Sequence, residues 1–133
     1  MIVAVADTHA VIWYFEANKR LSSHAKAFIE QAEQNGDMTA VSTITLVEIV
    51  YLIEKGRIPP QHFSDLAALL STTDSIFLEQ PIDLNIVRSL TRVDAAQIPE
   101  MSDRIIAATA LHLNVPVISK DNKINLSSIQ TIW

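Results

Sequence analysis

Short apolar runs alternate with longer stretches of helical patterning along this chain. Residues 2–6 (IVAVA) form a continuous apolar run, and weaker runs follow at 39–41 (TAV), 75–78 (SIFL), 115–118 (VPVI) and 129–132 (IQTI). Several of their residues are β-branched, as suits strands. Between them lie segments with helical patterning at 9–16, 22–34, 43–55, 60–71, 81–92 and 102–113. Short apolar strands separated by helices predict a parallel sheet, because each parallel connection must cross back over the sheet and usually does so as a helix. The fold class expected is α/β, with a central parallel sheet covered on both faces. The punctuation agrees: Ser22 or Ser23 can cap the second helix, Gly36 can end it, Gly56 can end the third, and Pro59-Pro60 separates the third from the fourth. Pro81 and Asp83 suit the first turn of a fifth helix, and Pro99 precedes a sixth for which Ser102 is the natural cap.

Composition narrows this picture. With 133 residues and only two glycines, Gly36 and Gly56, the chain has no tract suited to an interdomain linker, so residues 1–133 are expected to form one domain. Hydrophobic residues make up 49% and charged residues 19%, which marks a packed chain rather than a disordered one. The absence of cysteine excludes disulfides, thiolate metal ligands and a cysteine nucleophile, and fits a cytoplasmic location. The opening MIVAVADTHA lacks a basic region and meets an acid at once, so it reads as a buried strand rather than a signal peptide. No apolar run reaches the roughly 18 residues of a membrane helix, and no membrane association is expected.

Four acids stand where chemistry is plausible. Asp7 directly follows IVAVA and so belongs at the carboxyl end of the first strand, the edge where open parallel sheets form ligand crevices; an ordinary helix N-cap is the competing explanation. Glu48 lies in ITLVEIVYLI, apolar on almost every face, which predicts a helix buried all round and a carboxylate that must be paired, protonated or bound to a cation. A narrow exposed stripe with Thr45 and Leu52, or an arginine partner, would explain Glu48 equally well. Asp103 suits the first turn of its helix through the helix dipole, and Asp121 suits a polar turn in KDNK. Jointly they change meaning: two acids follow strands, two stand on helices, and a doubly wound sheet can bring all four to one crevice. Like charges held together persist mainly when cations neutralise them, and hard oxygen donors suit Mg2+ or Mn2+. The four histidines are scattered, so a zinc site is not expected.

The segments ADTHAVIW at 6–13, VSTITLVEIVYLIEKGRI at 41–58, SDRIIAATAL at 102–111 and PVISKD at 116–121 occur in the order seen in the PIN-domain family, and resemble most the toxin ribonucleases of the VapBC type. The resemblance covers most of the chain. It implies a three-layer α/β/α PIN-like domain and metal-dependent cleavage of RNA phosphodiester bonds. By position, the four family acids match Asp7, Glu48, Asp103 and Asp121 as catalytic and metal-binding residues. Thr8, after the first acid, and Ser119, the hydroxyl before the fourth, are supporting residues. Many relatives carry a further acid just after the fourth, where this chain has Asn122 and Lys123. The resemblance also implies a homodimer and a cognate VapB-like antitoxin, whose arginine or lysine would compete with metal for the carboxylates.

Net charge of −5 gives no support for a broad RNA-binding face. Of the 15 acids, four are the proposed ligands, and the remaining 11 nearly balance 10 bases, so phosphate contacts are expected to be few and local. Lys19-Arg20, Arg88 with Arg92, and Lys120 with Lys123 are the candidates, with solvated surface as their default. Trp13, Tyr14 and Phe15 fit core or interface better than base stacking, and His112 on its apolar helix reads as a core histidine. Apolar surface for association is offered by Trp13 to Phe15 and by Ile49, Leu52 and Ile53. A dehalogenase-like phosphatase would place a second Asp where His9 stands, and a phospho-acceptor domain would want an acidic pair after the first strand. Neither pattern is present. The alternative to a ribonuclease is a catalytically silent PIN-like module that binds RNA or regulates.

Overall fold

Along the first strand, β1 (Ile2–Ala6), consecutive side chains leave for opposite faces: Ala4 and Ala6 enter one buried cluster and Val5 the other. The same division recurs in β2 (Met38–Ser42) with Val41 and Ala40, and in β4 (Val117–Ile118) with Ile118 and Val117. A sheet sorted in this way is buried on both sides. The computed structural model describes residues 1–73, 75–125 and 127–133. Its described strands form one parallel sheet in the order β3-β2-β1-β4-β5, with β3 at Phe77–Gln80 and β5 at Thr131–Ile132.

Helices supply the outer layers. On the Ala4 and Ala6 face lie α1 (Thr8–Phe15), α2 (Ser23–Gln34) and α4 (Gln61–Leu70), through Val11, Ile29 and Leu66. On the Val5 face lie α5 (Leu84–Leu90), α6 (Met101–Leu113) and the short α7 (Asn122–Asn125), through Ile86, Ile106 and Ile124. Helix α3 (Thr43–Glu54) reaches both clusters, with Ile49 in the first and Ile44 in the second. The architecture is the expected three-layer α/β/α arrangement.

Local chemistry explains most boundaries. Ser22 caps α2 by accepting the Ala25 N–H at 3.0 Å, and Asp83 caps α5 by accepting the Ile86 N–H at 3.0 Å. Gly36 and Gly56 stand just past α2 and α3 with φ of +79° and +71°, the left-handed conformation that ends helices. Several expectations are corrected. Helix α6 begins at Met101 with Glu100 in the cap position and no side-chain cap bond, so Ser102 lies inside the helix rather than capping it. Strand β3 runs two residues later than SIFL, because its register with β2 continues through Glu79 and Gln80, and its position at the sheet edge tolerates exposed Leu78 and Glu79. Helix α3 is not buried all round: Val47, Val50 and Tyr51 are exposed, while Ile49 is buried and Leu52 and Ile53 pack on the core. His112 is exposed rather than a core residue.

Tyr14 and Phe15 pack against Phe77, with ring centroids 5.5 and 6.2 Å away, and this joins α1 to the edge strand. Phe77 is only 1% exposed. Replacing it with Ala should therefore remove about 3–5 kcal/mol of stability, read as a lowered urea midpoint with an unchanged slope; a loss under about 1 kcal/mol would mean that the aromatic contacts contribute little.

Candidate functional site

The sheet order reverses at β1: the chain moves outward through β2 and β3, then returns to place β4 on the other side of β1. In open α/β sheets, ligand crevices form at the carboxyl ends of the strands flanking such a reversal. Asp7 follows β1 directly, and its N–H donates to Ile118 O at the end of β4 at 3.1 Å. Ser119 and Asp121 follow β4. The topology thus brings together two acids that lie almost at opposite ends of the chain.

Asp7 also caps α1, its Oδ1 accepting the Ala10 N–H at 2.8 Å. The cap and the crevice are therefore not alternatives, since one carboxylate does both. Ser119, 2% exposed, bonds the Asp7 carboxylate through its hydroxyl and accepts the Asp121 N–H at 2.9 Å, which links the two acids. Asp121 in turn accepts the Lys123 N–H at 2.8 Å and starts α7. Glu48 projects from α3 and accepts the Thr8 hydroxyl at 2.5 Å. Asp103, in the first turn of α6, meets Asp121 closely enough to share a hydrogen bond.

All four predicted acids line one open cavity of about 440 Å³, together with Thr8, His9, Trp13, Glu100, Lys120 and Lys123. Its acids act on one another. Burial raises the Asp7 carboxyl above its ordinary range and Asp121 adds to the rise, while Ser119, the Ala10 N–H and His9 oppose it. Asp103 is pushed up from 3.8 to about 7, by burial first and then by the charges of Asp121, Glu100 and Glu48 and by its hydrogen bond to Asp121. No described ion pair includes Asp7, Glu48, Asp103 or Asp121. Arg104, adjacent to Asp103 in sequence, turns its guanidinium to Leu90 O and Val93 O at 3.1 and 3.0 Å and so ties α6 to the end of α5.

A set of carboxylate oxygens, none of them in a described ion pair, fits a hard divalent cation in its chemistry. Among the described residues no three His, Asp or Glu side chains are gathered into a group that could hold an ion as they stand. The acids face one cavity without converging on one point. The sequence did not single out Glu100, which lines the same cavity three residues before Asp103, and it offered Thr45 only as part of an exposed stripe with Leu52, whereas Thr45 is buried one turn before Glu48; the spacing to Asp103 and Glu48 was the available signal. The aromatic triplet divides, with Tyr14 and Phe15 packing on Phe77 while Trp13 lines the cavity beside His9, ring centroids 5.4 Å apart.

The PIN domain family model matches residues 4–128. Among solved structures, the chain is similar to VapBC2 from Rickettsia felis bound to a DNA fragment from its promoter, with a TM-score of 0.71 at 17% identity, covering 98% of this chain and 97% of that one. It is also similar to a toxin-antitoxin complex from Klebsiella pneumoniae, with a TM-score of 0.65 at 20% identity and coverage of 98% and 96%. A third similarity is to FitAcB from Neisseria gonorrhoeae, with a TM-score of 0.61 at 18% identity and the same coverage of 98% and 96%. At these identities the likeness establishes a shared fold. No curated protein sequence matches the chain.

The raised Asp103 carboxyl has a consequence for stability. Between 3.8 and about 7 the folded chain holds a proton that the unfolded chain releases, so stability is unpenalised below that window and falls as pH rises through it. In chelator, the melting temperature should therefore drop from pH 5 to pH 8, and Asp103→Asn should flatten the drop and melt above wild type at pH 8. An Asn variant less stable than wild type at pH 8 would show that the acidic repulsion is already relieved.

Proposed function

The chain belongs to the PIN domain family, and from that premise we propose that it is a divalent-metal-dependent endoribonuclease acting as the toxin of a type II toxin-antitoxin pair. The observation that carries the reading is the meeting of Asp7, Glu48, Asp103 and Asp121, from four separate segments, in one cavity at the sheet reversal, with two of them raised by burial and by neighbouring acids. In this reading Asp7, Glu48, Asp103 and Asp121 hold Mg2+ or Mn2+. A bound ion there supplies Lewis-acid stabilisation of charge on phosphate and leaving oxygen and lowers the pKa of water. The chain's own residues do the rest. Ser119 and the Ala10 N–H hold the Asp7 carboxylate, Thr8 holds Glu48, and a carboxylate of the set can take the proton of the attacking water. Lys120 and Lys123 line the cavity and belong to no described ion pair, which suits them to contact RNA phosphates.

Partners form the second half of the proposal. A second cavity of about 480 Å³, lined by Ile44, Val47, Tyr51, Leu52 and Met101, runs along α3 to Thr8, His9 and Glu48. Tyr51 and Met101 are 60% and 69% exposed. An apolar antitoxin segment seated there could present an arginine or lysine to the carboxylates and block cation binding. The homodimer expected from the resemblance would use exposed apolar groups; Leu84 and Val87 on α5 are available, whereas Ile49 and the Tyr14–Phe15 pair serve the core. No described helix is long and apolar enough to cross a membrane. A cytoplasmic location completes the proposal, given a chain without cysteine.

The absence of a ready ligand set among the described residues favours one competing reading, a catalytically silent RNA-binding or regulatory module. Cleavage of a total RNA pool with and without Mn2+ separates the two. The wild type should cleave only with metal, and Asp7→Asn should lose at least about 100-fold, the upper end of what even residues outside the ligand shell contribute. Asp121→Asn should lose less, because Asp121 stands on a polar turn followed by Asn122 and Lys123 rather than a second acid. RNA binding without metal-dependent cleavage would select the silent module. A protein monomeric at micromolar concentrations, whose expression leaves growth unchanged while cleavage is intact, would remove the toxin assignment and leave the nuclease.

A further inference from the structure

Thr45 is fully buried on α3, yet its hydroxyl makes no bond along its own helix. Standing in the first turn of α3, Thr45 has no earlier turn of its helix to donate to, unlike Thr109 in mid-α6, which donates to Ile105 O at 2.7 Å. Thr45 instead reaches across to α1, placing its Oγ1 3.1 Å from Thr8 Oγ1. Thr8, 4% exposed, donates its one hydroxyl proton to Glu48 Oε1. With that proton committed, Thr8 can meet Thr45 only as an acceptor, so Thr45 must be the donor. The direction of the chain is fixed as Thr45 to Thr8 to Glu48. Valine would fill nearly the same space without burying a hydroxyl, so packing alone gives no reason for oxygen at this position.

We infer that Thr45 is a positioning residue for the carboxylate cavity: its hydroxyl holds Thr8 in the rotamer from which Thr8 fixes the Glu48 carboxylate at the cavity wall. This rests on the reading that the carboxylates bind a divalent ion, and it adds the residue that keeps one of them prepared. Donors arranged in series polarise one another, so the bond reaching Glu48 is strengthened by the one behind it. Glu48 is half-buried between exposed Val47 and Tyr51, has no described cation to restrain it, and the hydroxyl chain supplies that restraint.

The test is Mn2+ affinity, followed by electron paramagnetic resonance of the free ion, for wild type, Thr45→Val, Thr45→Ser and Thr45→Ala, with the melting temperature of each. Thr45→Val should bind Mn2+ roughly 10- to 100-fold more weakly, as expected on removing a group that orients a ligand. Thr45→Ser should return to within a few-fold of wild type. Thr109→Val is the control for a buried hydroxyl bonded only within its own helix, and should shift melting without moving Mn2+ affinity. If Thr45→Val does not fold, Thr45→Ala against Thr45→Ser makes the same comparison. Wild-type affinity in the Val or Ala variant, or a Ser variant as weak as Val, overturns the inference alone. Failure of the wild type to bind Mn2+ overturns the metal reading and this inference with it.

Discussion

Like charges brought together out of water repel, and the rest of this structure is arranged around that constraint. Asp7 and Asp103 both have carboxyls raised by burial, and both feel Asp121 across the cavity. A fold driven only by stability would separate them. Here the separation is prevented by backbone: Asp7 is pinned at the end of β1 by the helix it caps, Asp121 by the turn after β4, and Asp103 by the first turn of α6. Each acid is held by an element whose own stability comes from elsewhere.

That stability comes from the two buried layers. Small side chains line the centre of the sheet on both faces, Ala4 and Ala6 toward α1, α2 and α4, and Ala40 toward α6, which answers with Ala107, Ala108 and Ala110. Larger groups fill the periphery, notably Phe77, Ile29, Leu66 and Ile98. The tight centre fixes where the carboxyl ends of β1 and β4 lie relative to α6, and so sets the geometry of the cavity. Arg104 contributes to the same end, since its bonds to Leu90 and Val93 carbonyls fix the amino-terminal turn of α6 from which Asp103 projects.

Much of this was legible in the residues. The alternation of apolar runs and helical patterns carried the layer order, because period and length differ so clearly between IVAVA and the segment around Glu48. The position of Asp7 followed from its place directly after a strand. What could not be read were features decided across space. The start of α6 at Met101 depends on packing against α5 rather than on a capping side chain, and SIFL slid because an edge strand needs only one partner. The exposed stripe of α3 at Val47, Val50 and Tyr51 is invisible to periodicity when nearly every residue is apolar. Thr45 was legible only as a member of an exposed stripe, because a hydroxyl acquires meaning only once its partner on another helix is known.

The pairing of β1 with β4, Val5 against Val117, spans nearly the whole chain. Contacts so distant in sequence close late, and during synthesis the amino-terminal elements emerge and fold first. A chain that has left the ribosome as far as α5 can pair β1 with β2 and bring Thr8, Thr45 and Glu48 together, yet it lacks Asp103, Ser119 and Asp121. The cavity is thus completed only once the segments after α5 have emerged. A ribosome stalled partway would carry one side of the cavity and a bare β1 edge, so the order of strands delays completion of the crevice until β4 has emerged.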